Sequence, residues 1–164
     1  MAPLDQTPLW LDCDPGHDDA LAIILAAHSP DIHLLGISTT HGNTSLSHTT
    51  ENALRILTAI NRDDIPVYAG AEKPIMRPPI YAPQIHGESG LDGTDLLPLS
   101  SSKVRTEKAI NAMAEAILGC PPGETVLCAT GPVTNVAHLI SVYPEVADHL
   151  REVVIMGGAI GSGK

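Results

Sequence analysis

Four aspartates fall within eight positions, Asp12, Asp14, Asp18 and Asp19, in the segment Leu11-Asp12-Cys13-Asp14-Pro15-Gly16-His17-Asp18-Asp19-Ala20. The run lies where an apolar stretch ends and a segment of helical period begins. Ligands collect at such strand ends in parallel sheets, because the loops and helix N-termini that follow enclose a crevice there. Alternation along a strand sets Asp12 and Asp14 facing the same way, and the Pro15-Gly16 turn folds Asp18 and Asp19 back toward them. So many like charges repel. Raised carboxyl pKa values or a hard divalent cation would relieve the repulsion, and ligands that are all oxygen favour Ca2+ or Mg2+ over zinc. Asp18 alone could cap the next helix and Asp19 could sit in its first turn, but capping does not account for four carboxylates together.

The elements that must hold this cluster follow from the alternation of short apolar runs with longer segments of helical period, the pattern of βα units feeding a parallel sheet. Strands are expected near Pro8–Asp12, His33–Thr39, Pro66–Ala69, Thr125–Ala129 and Glu152–Met156, with Val, Leu and Ile content suited to burial on both faces. Between them, 18–28 carries Leu21, Ile24 and Leu25 on one helical face, and 45–60 spaces Leu46, Ala53, Leu54, Leu57 and Ile60 by threes and fours. Residues 106–118 and 136–142 complete the helices. Residues 70–102 break the rhythm, since Pro74, Pro78, Pro79, Pro83 and Pro98 forbid a long helix. A loop of that length is uncommon inside a domain and is a candidate lid or pocket wall. The fold class expected is α/β, a mostly parallel sheet of Rossmann-like order with flanking helices, incomplete at its C-terminus because the chain stops at Gly161-Ser162-Gly163-Lys164 directly after a strand.

Composition narrows the partners. A net charge of -10 argues against a nucleic-acid backbone, which needs clustered Lys and Arg, and suits a cation or a neutral small molecule. Cys13, Cys120 and Cys128 form no CxxC spacing and are odd in number, so reduced thiols are expected rather than disulfides or a zinc site. No signal peptide is visible, and the longest apolar window, 20–27, is too short to span a bilayer. A cytoplasmic setting without membrane attachment is the expectation.

Further motifs follow in order: Thr39-Thr40-His41-Gly42-Asn43-Thr44, His86-Gly87-Glu88-Ser89-Gly90-Leu91-Asp92-Gly93, Thr130-Gly131-Pro132-Val133-Thr134-Asn135 and Met156-Gly157-Gly158. Together with DxDPGxDD, they resemble the active-site asparagine segment, the HGxxGLxG loop, the TGPxTN turn and the MGG turn of the inosine-uridine nucleoside hydrolases. The resemblance covers the chain as the N-terminal portion, 1–164, of one such domain. It implies hydrolysis of the N-glycosidic bond of a ribonucleoside, with Ca2+ held by Asp14, Asp19 and the backbone carbonyl of Thr130, and with Asp14 as general base. It also implies that Asp18 binds a ribose hydroxyl, that Asn43 helps place water or sugar, and that Met156 lines the ribose pocket. The complete protein is expected to be a homo-oligomer.

His86, bordered by glycine in its loop, is a partner for the departing base, although most of eight histidines serve on surfaces or in cores. Asp12 is left to brace the loop. The resembling family takes another acidic metal ligand and further sugar and base contacts from segments beyond Lys164, so residues 1–164 alone are expected to be nearly inactive and to expose apolar strand and helix surface.

Three other readings compete. Asp12-Cys13-Asp14 also resembles the opening of haloacid-dehalogenase-type phosphatases, whose first aspartate is the nucleophile beside Mg2+, but Gly16 stands where Thr or Val belongs and Asp18-Asp19 has no part there. Residues 158–164 read as GxxxxGK after a strand, as a P-loop would. A non-catalytic interaction product that keeps only part of the site is the third.

Overall fold

The structure, a computed structural model, describes residues 6–158. Its chain order is β1 (Thr7–Cys13), α1 (His17–His28), β2 (Ile32–Thr39), α2 (Leu46–Ala59), β3 (Val67–Ala69), α3 (Pro83–His86), α4 (Ala109–Leu118), β4 (Val126–Ala129), α5 (Thr134–Val142), α6 (Glu145–His149) and β5 (Glu152–Ile155). The strands form one sheet in the order β3-β2-β1-β4-β5, with every pairing parallel. The α/β parallel sheet expected from the sequence is therefore present. β1 lies at its centre, and the chain builds outward from it first through β2 and β3, then on the other side through β4 and β5. Strand order reverses between β1 and β4, the place where open α/β sheets leave a crevice at the carboxyl ends of their strands. Asp12 to Asp14 lie there.

Two apolar layers sandwich the sheet. Leu11, Cys13 and Ile37 pack with Ile23 of α1 and Ala53, Leu54 and Leu57 of α2. On the opposite face Trp10, Leu127 and Ala129 pack with Met113 and Ile117 of α4, Leu139 of α5 and Val146 of α6. With no Phe in the sequence, aliphatic side chains and one tryptophan, 1% exposed, fill these layers.

The expected elements need four corrections. α1 does not bury Leu21, Ile24 and Leu25, which are 69%, 38% and 68% exposed; its inner face is Ile23, Ala26 and Ala27. Both sets follow i, i+3, i+4 spacing, so periodicity could not choose between them, and the small Ala26 and Ala27 permit the closer approach to the sheet. α4 starts at Ala109 rather than Thr106, because Arg105 is drawn into an extended bridge whose N–H bonds to Val67 O at 2.8 Å. α6 is a further short helix, before β5, that was not among the expected ones. Finally, residues 70–102 contain α3, one turn opened by Pro83 at a position where its missing N–H costs nothing.

β5 stands at the sheet edge with Val153, Val154 and Ile155 between 37% and 52% exposed. Among the described residues no helix is long and apolar enough to cross a membrane. The P-loop-like stretch lies, apart from Gly158, outside the described residues.

Candidate active site

The two aspartates at the end of β1 part company. Asp12 is fully buried and turns into the interior, where its Oδ1 accepts from the Ser38 hydroxyl at 2.5 Å and from Asn135 Nδ2 at 2.8 Å, while Oδ2 has no partner. Ser38 stands directly opposite Asp12 in the β1–β2 register and also accepts from Trp10 Nε1. Burial pushes the Asp12 carboxyl up to about 6, against the pull of its two hydrogen bonds. A carboxylate so enclosed cannot reach a substrate, which rules out the phosphatase reading with Asp12 as nucleophile.

Asp14 lies beyond the last paired residue of β1 and crosses the strand ends toward the loop after β2. Its Oδ2 accepts from the Asn43 N–H at 2.8 Å. Two glycines make room for it: a Cβ on Gly42 would lie 1.9 Å from Asp14 Oδ2, and one on Gly131 would lie 2.6 Å from Oδ1. Burial first, then the nearby Asp19 charge, push Asp14 up to about 7.

Asp19 reaches the same place from α1. The helix N-cap is Gly16, not Asp18; Asp19 bends back so that its Oδ2 accepts from the Gly16 N–H at 3.2 Å, and its Oδ1 accepts from the Thr130 hydroxyl at 2.6 Å. Burial raises its pKa as well. Asn43 braces both acids, because its Nδ2 donates to Asp14 O at 2.9 Å and, at 3.4 Å, to Asp19 Oδ2. Its Oδ1 takes no hydrogen bond among the described residues.

These side chains surround a cavity of about 450 Å³ whose walls include Asp14, Asp18, Asn43, Thr130 and Met156. That volume suits a small molecule. Asp18 is exposed at its rim. Five of the seven site residues expected from the sequence thus line one cavity, and Asp19 supports it from behind. His86 does not line it. It abuts the turn instead, where a Cβ on Gly16 would lie 2.6 Å from His86 Nδ1.

The site can be tested for a cation on its donors. Asp14, Asp19 and the Thr130 carbonyl, which accepts no hydrogen bond among the described residues, offer hard oxygen atoms only. Two buried carboxylates with raised pKa values, neither in an ion pair with Lys or Arg among the described residues, carry the charge deficit that a divalent ion would offset. No three His, Cys, Asp or Glu side chains among the described residues form a cage by themselves. Ligation by these residues would leave places for water or substrate, so they fit a hard ion bound at an open site.

Sequence reasoning missed Asn135 and Ser38 as partners of Asp12. Asn135 is 1% exposed; besides Asp12 it donates to Thr39 O at 3.1 Å and accepts from the Ala71 N–H at 2.8 Å, tying β1, β2 and the start of the 70–102 segment to α5. A serine opposite an aspartate on an apolar strand was the available signal.

Comparisons with known proteins agree with this geometry. The family described as inosine-uridine preferring nucleoside hydrolase matches residues 9–164. An uncharacterised protein of Schizosaccharomyces pombe is 46% identical over 160 residues, 98% of this chain and 48% of its own length. A pyrimidine-specific ribonucleoside hydrolase, RihA, of Citrobacter koseri is 47% identical over 156 residues, 95% of this chain and 49% of its own. Among solved structures, a purine-preferring ribonucleoside hydrolase from Gardnerella vaginalis superposes with a TM-score of 0.85 at 32% identity, covering 93% of this chain and 49% of that one. The chain spans about half the length of the curated relatives it matches. With the motifs in one order, the aspartates gathered at the sheet's switch point and the match running from residue 9 to residue 164, the chain belongs to the inosine-uridine preferring nucleoside hydrolase family.

Proposed function

We propose that the whole protein hydrolyses the N-glycosidic bond of ribonucleosides, releasing the free base and ribose. The observation that carries this reading is the convergence of Asp14, Asp18, Asn43, Thr130 and Met156 on one cavity, with Asp19 buried behind them. The relatives carry pyrimidine-specific and purine-preferring names, and what their substrates share is the ribose end.

Breaking the C1′–N bond passes through an oxocarbenium-like sugar, so water must reach C1′ while negative charge lies close by. Asp14, Asp19 and the Thr130 carbonyl would hold a Ca2+ ion, which when bound supplies water acidification and a grip on vicinal hydroxyls. Asp14, held by the Asn43 N–H through its Oδ2, takes the proton as the water oxygen bonds to C1′. The bond's electron pair leaves with the base, which acquires a proton from the His86 side. Asp18 accepts a hydrogen bond from a ribose hydroxyl. Asn43 keeps the two acids apart and in place through its amide nitrogen, leaving Oδ1 for water or sugar. Met156, with its N–H bonded to Ala129 O at 2.8 Å, forms an apolar wall for the ring. A cytoplasmic, homo-oligomeric enzyme completes the proposal.

The test is turnover of uridine and inosine beside their 2′-deoxy counterparts. Ribonucleosides should be favoured by at least about a hundredfold in kcat/KM, because buried groups that lose the 2′-hydroxyl are left unpaired. Equal specificity constants would refute the assignment of Asp18 and the ion to that hydroxyl.

A further inference from the structure

We infer that Asn52 of α2 is a positioning residue for Asp19, acting through the peptide that joins Pro15 to Gly16; the inference rests on the reading of Asp19 as a ligand of the Ca2+ ion. Asn52 is 4% exposed and stands among the buried Ala53, Ile56 and Leu57 of its helix. Its Nδ2 lies 3.0 Å from Pro15 O in the aspartate turn and 2.8 Å from Ser89 O in the loop after α3. Both partners are carbonyls, which only accept, so the nitrogen faces them and each of its two hydrogens has a partner. An ionised Asp in its place would bring no donor, and Ser only one.

The bond to Pro15 O matters because of what shares its peptide. A trans peptide is a rigid plane with its C=O and N–H on opposite sides, and none of the described peptides is cis. The N–H opposite Pro15 O is that of Gly16, which donates to Asp19 Oδ2 at 3.2 Å. Asn52 thus holds one end of a plate whose other end points at the Asp19 carboxylate. Gly16, the N-cap of α1, has no side chain with which to brace the turn itself. The remaining contacts of Asp19 come from elsewhere: Thr130 donates to Oδ1 at 2.6 Å, and Asn43 reaches Oδ2 only at 3.4 Å.

The junction is also closed. Pro15 O accepts no other hydrogen bond among the described residues. Gly90, at φ 87°, presses on it, since a Cβ there would lie 3.0 Å from Asn52 Nδ2 and 3.4 Å from Pro15 O. The Thr44 hydroxyl holds the same loop by donating to Glu88 O at 3.0 Å. So close a seal leaves little space for water to donate to Pro15 O in place of the amide, and the tilt of the Pro15–Gly16 peptide depends on Asn52. Because one nitrogen serves both carbonyls, the loop and the aspartate turn are set in a fixed relation to each other.

The test is calorimetric titration of the whole protein with Ca2+. Asn52→Leu keeps the volume and removes both donors; the Kd for Ca2+ should rise about ten- to a hundredfold, the usual loss when a group that orients a metal ligand is removed. Asn52→Ser keeps one donor and should shift Kd in the same direction by less; it carries the test if the leucine variant does not fold, which urea unfolding without Ca2+ shows. In an Asp19→Ala background the same substitution should weaken binding by no more than about twofold, because its effect passes through the residue already absent. A role confined to holding the fold together would lower affinity equally in both backgrounds. That full additivity would overturn the inference, and so would Ca2+ affinity within about twofold of the wild type in every folded Asn52 variant beside a clear loss in Asp19→Ala. A wild-type protein that binds no Ca2+ would overturn the assignment of the ion, and this inference with it.

Discussion

Replacing Asp12 with asparagine should make stability less sensitive to pH, and the size of the change follows from where that carboxyl sits. Asp12 is 0% exposed, and burial raises its pKa from the ordinary 3.8 to about 6. The folded protein therefore binds this proton more tightly than the unfolded chain does. Its favourable contribution is complete below about pH 4 and is lost as the pH rises to about 6; the separation of about two units corresponds to about 3 kcal/mol. The substituted amide keeps an oxygen for Ser38 and Asn135 but puts a nitrogen where Oδ2 now has no partner, at a pH-independent cost of about 1–3 kcal/mol. The Asp12→Asn protein should thus be the less stable near pH 4 and should gain about 3 kcal/mol on the wild type by about pH 7. Urea unfolding of both proteins across this range, with a chelator present to keep Asp14 and Asp19 comparable, measures the difference directly. Parallel stability curves would show that Asp12 is already ionised in the fold at low pH, and the account of its burial would fail.

Other perturbations test the neighbouring groups. Gly42→Ala puts a methyl where Asp14 Oδ2 lies and should lower kcat about a hundredfold by displacing the base, with little change in folding midpoint; an active variant would mean that Asp14 does not act from this position. Asn135→Ala removes bonds to Asp12, Thr39 and Ala71 and should cost about 3 kcal/mol in urea unfolding, since buried groups lose their partners. Calorimetric titration of the whole protein with Ca2+ should show binding that Asp14→Ala and Asp19→Ala each weaken by at least about tenfold; undiminished binding in both would place the ion elsewhere.

Much of this arrangement was legible in the residues alone. The five strands were, because burial on both faces gives continuous Val, Leu and Ile runs that turn residues bound clearly. The carboxylate cluster was, because four charges at one strand end have few structural uses. What failed was orientation. α1 carries apolar residues on more than one face, and only packing decides that Ala26 rather than Leu25 meets the sheet. Alternation likewise set Asp12 beside Asp14, yet pairing in β1 ends at Cys13 and the chain turns, so one acid enters the core while the other enters the cavity. The junction of Pro15 with Ser89 through Asn52 depends on how 83–93 folds back, which no local pattern encodes.

The bond between Asp12 and Asn135 joins residues 123 positions apart, across the centre of the sheet. At synthesis rates of about 5–20 residues per second, the gap between their emergence from a ribosome is on the order of ten seconds. Through that interval β1 can pair with β2, but the β4 side of the crevice does not exist and Asp12 has only Ser38 to bind. Closure of so long a loop carries its entropic cost before any contact rewards it. The central strand, made before the four that flank it, is thus among the last to be completed, and the nascent chain carries its acidic strand end half-built until the TGPxTN turn arrives.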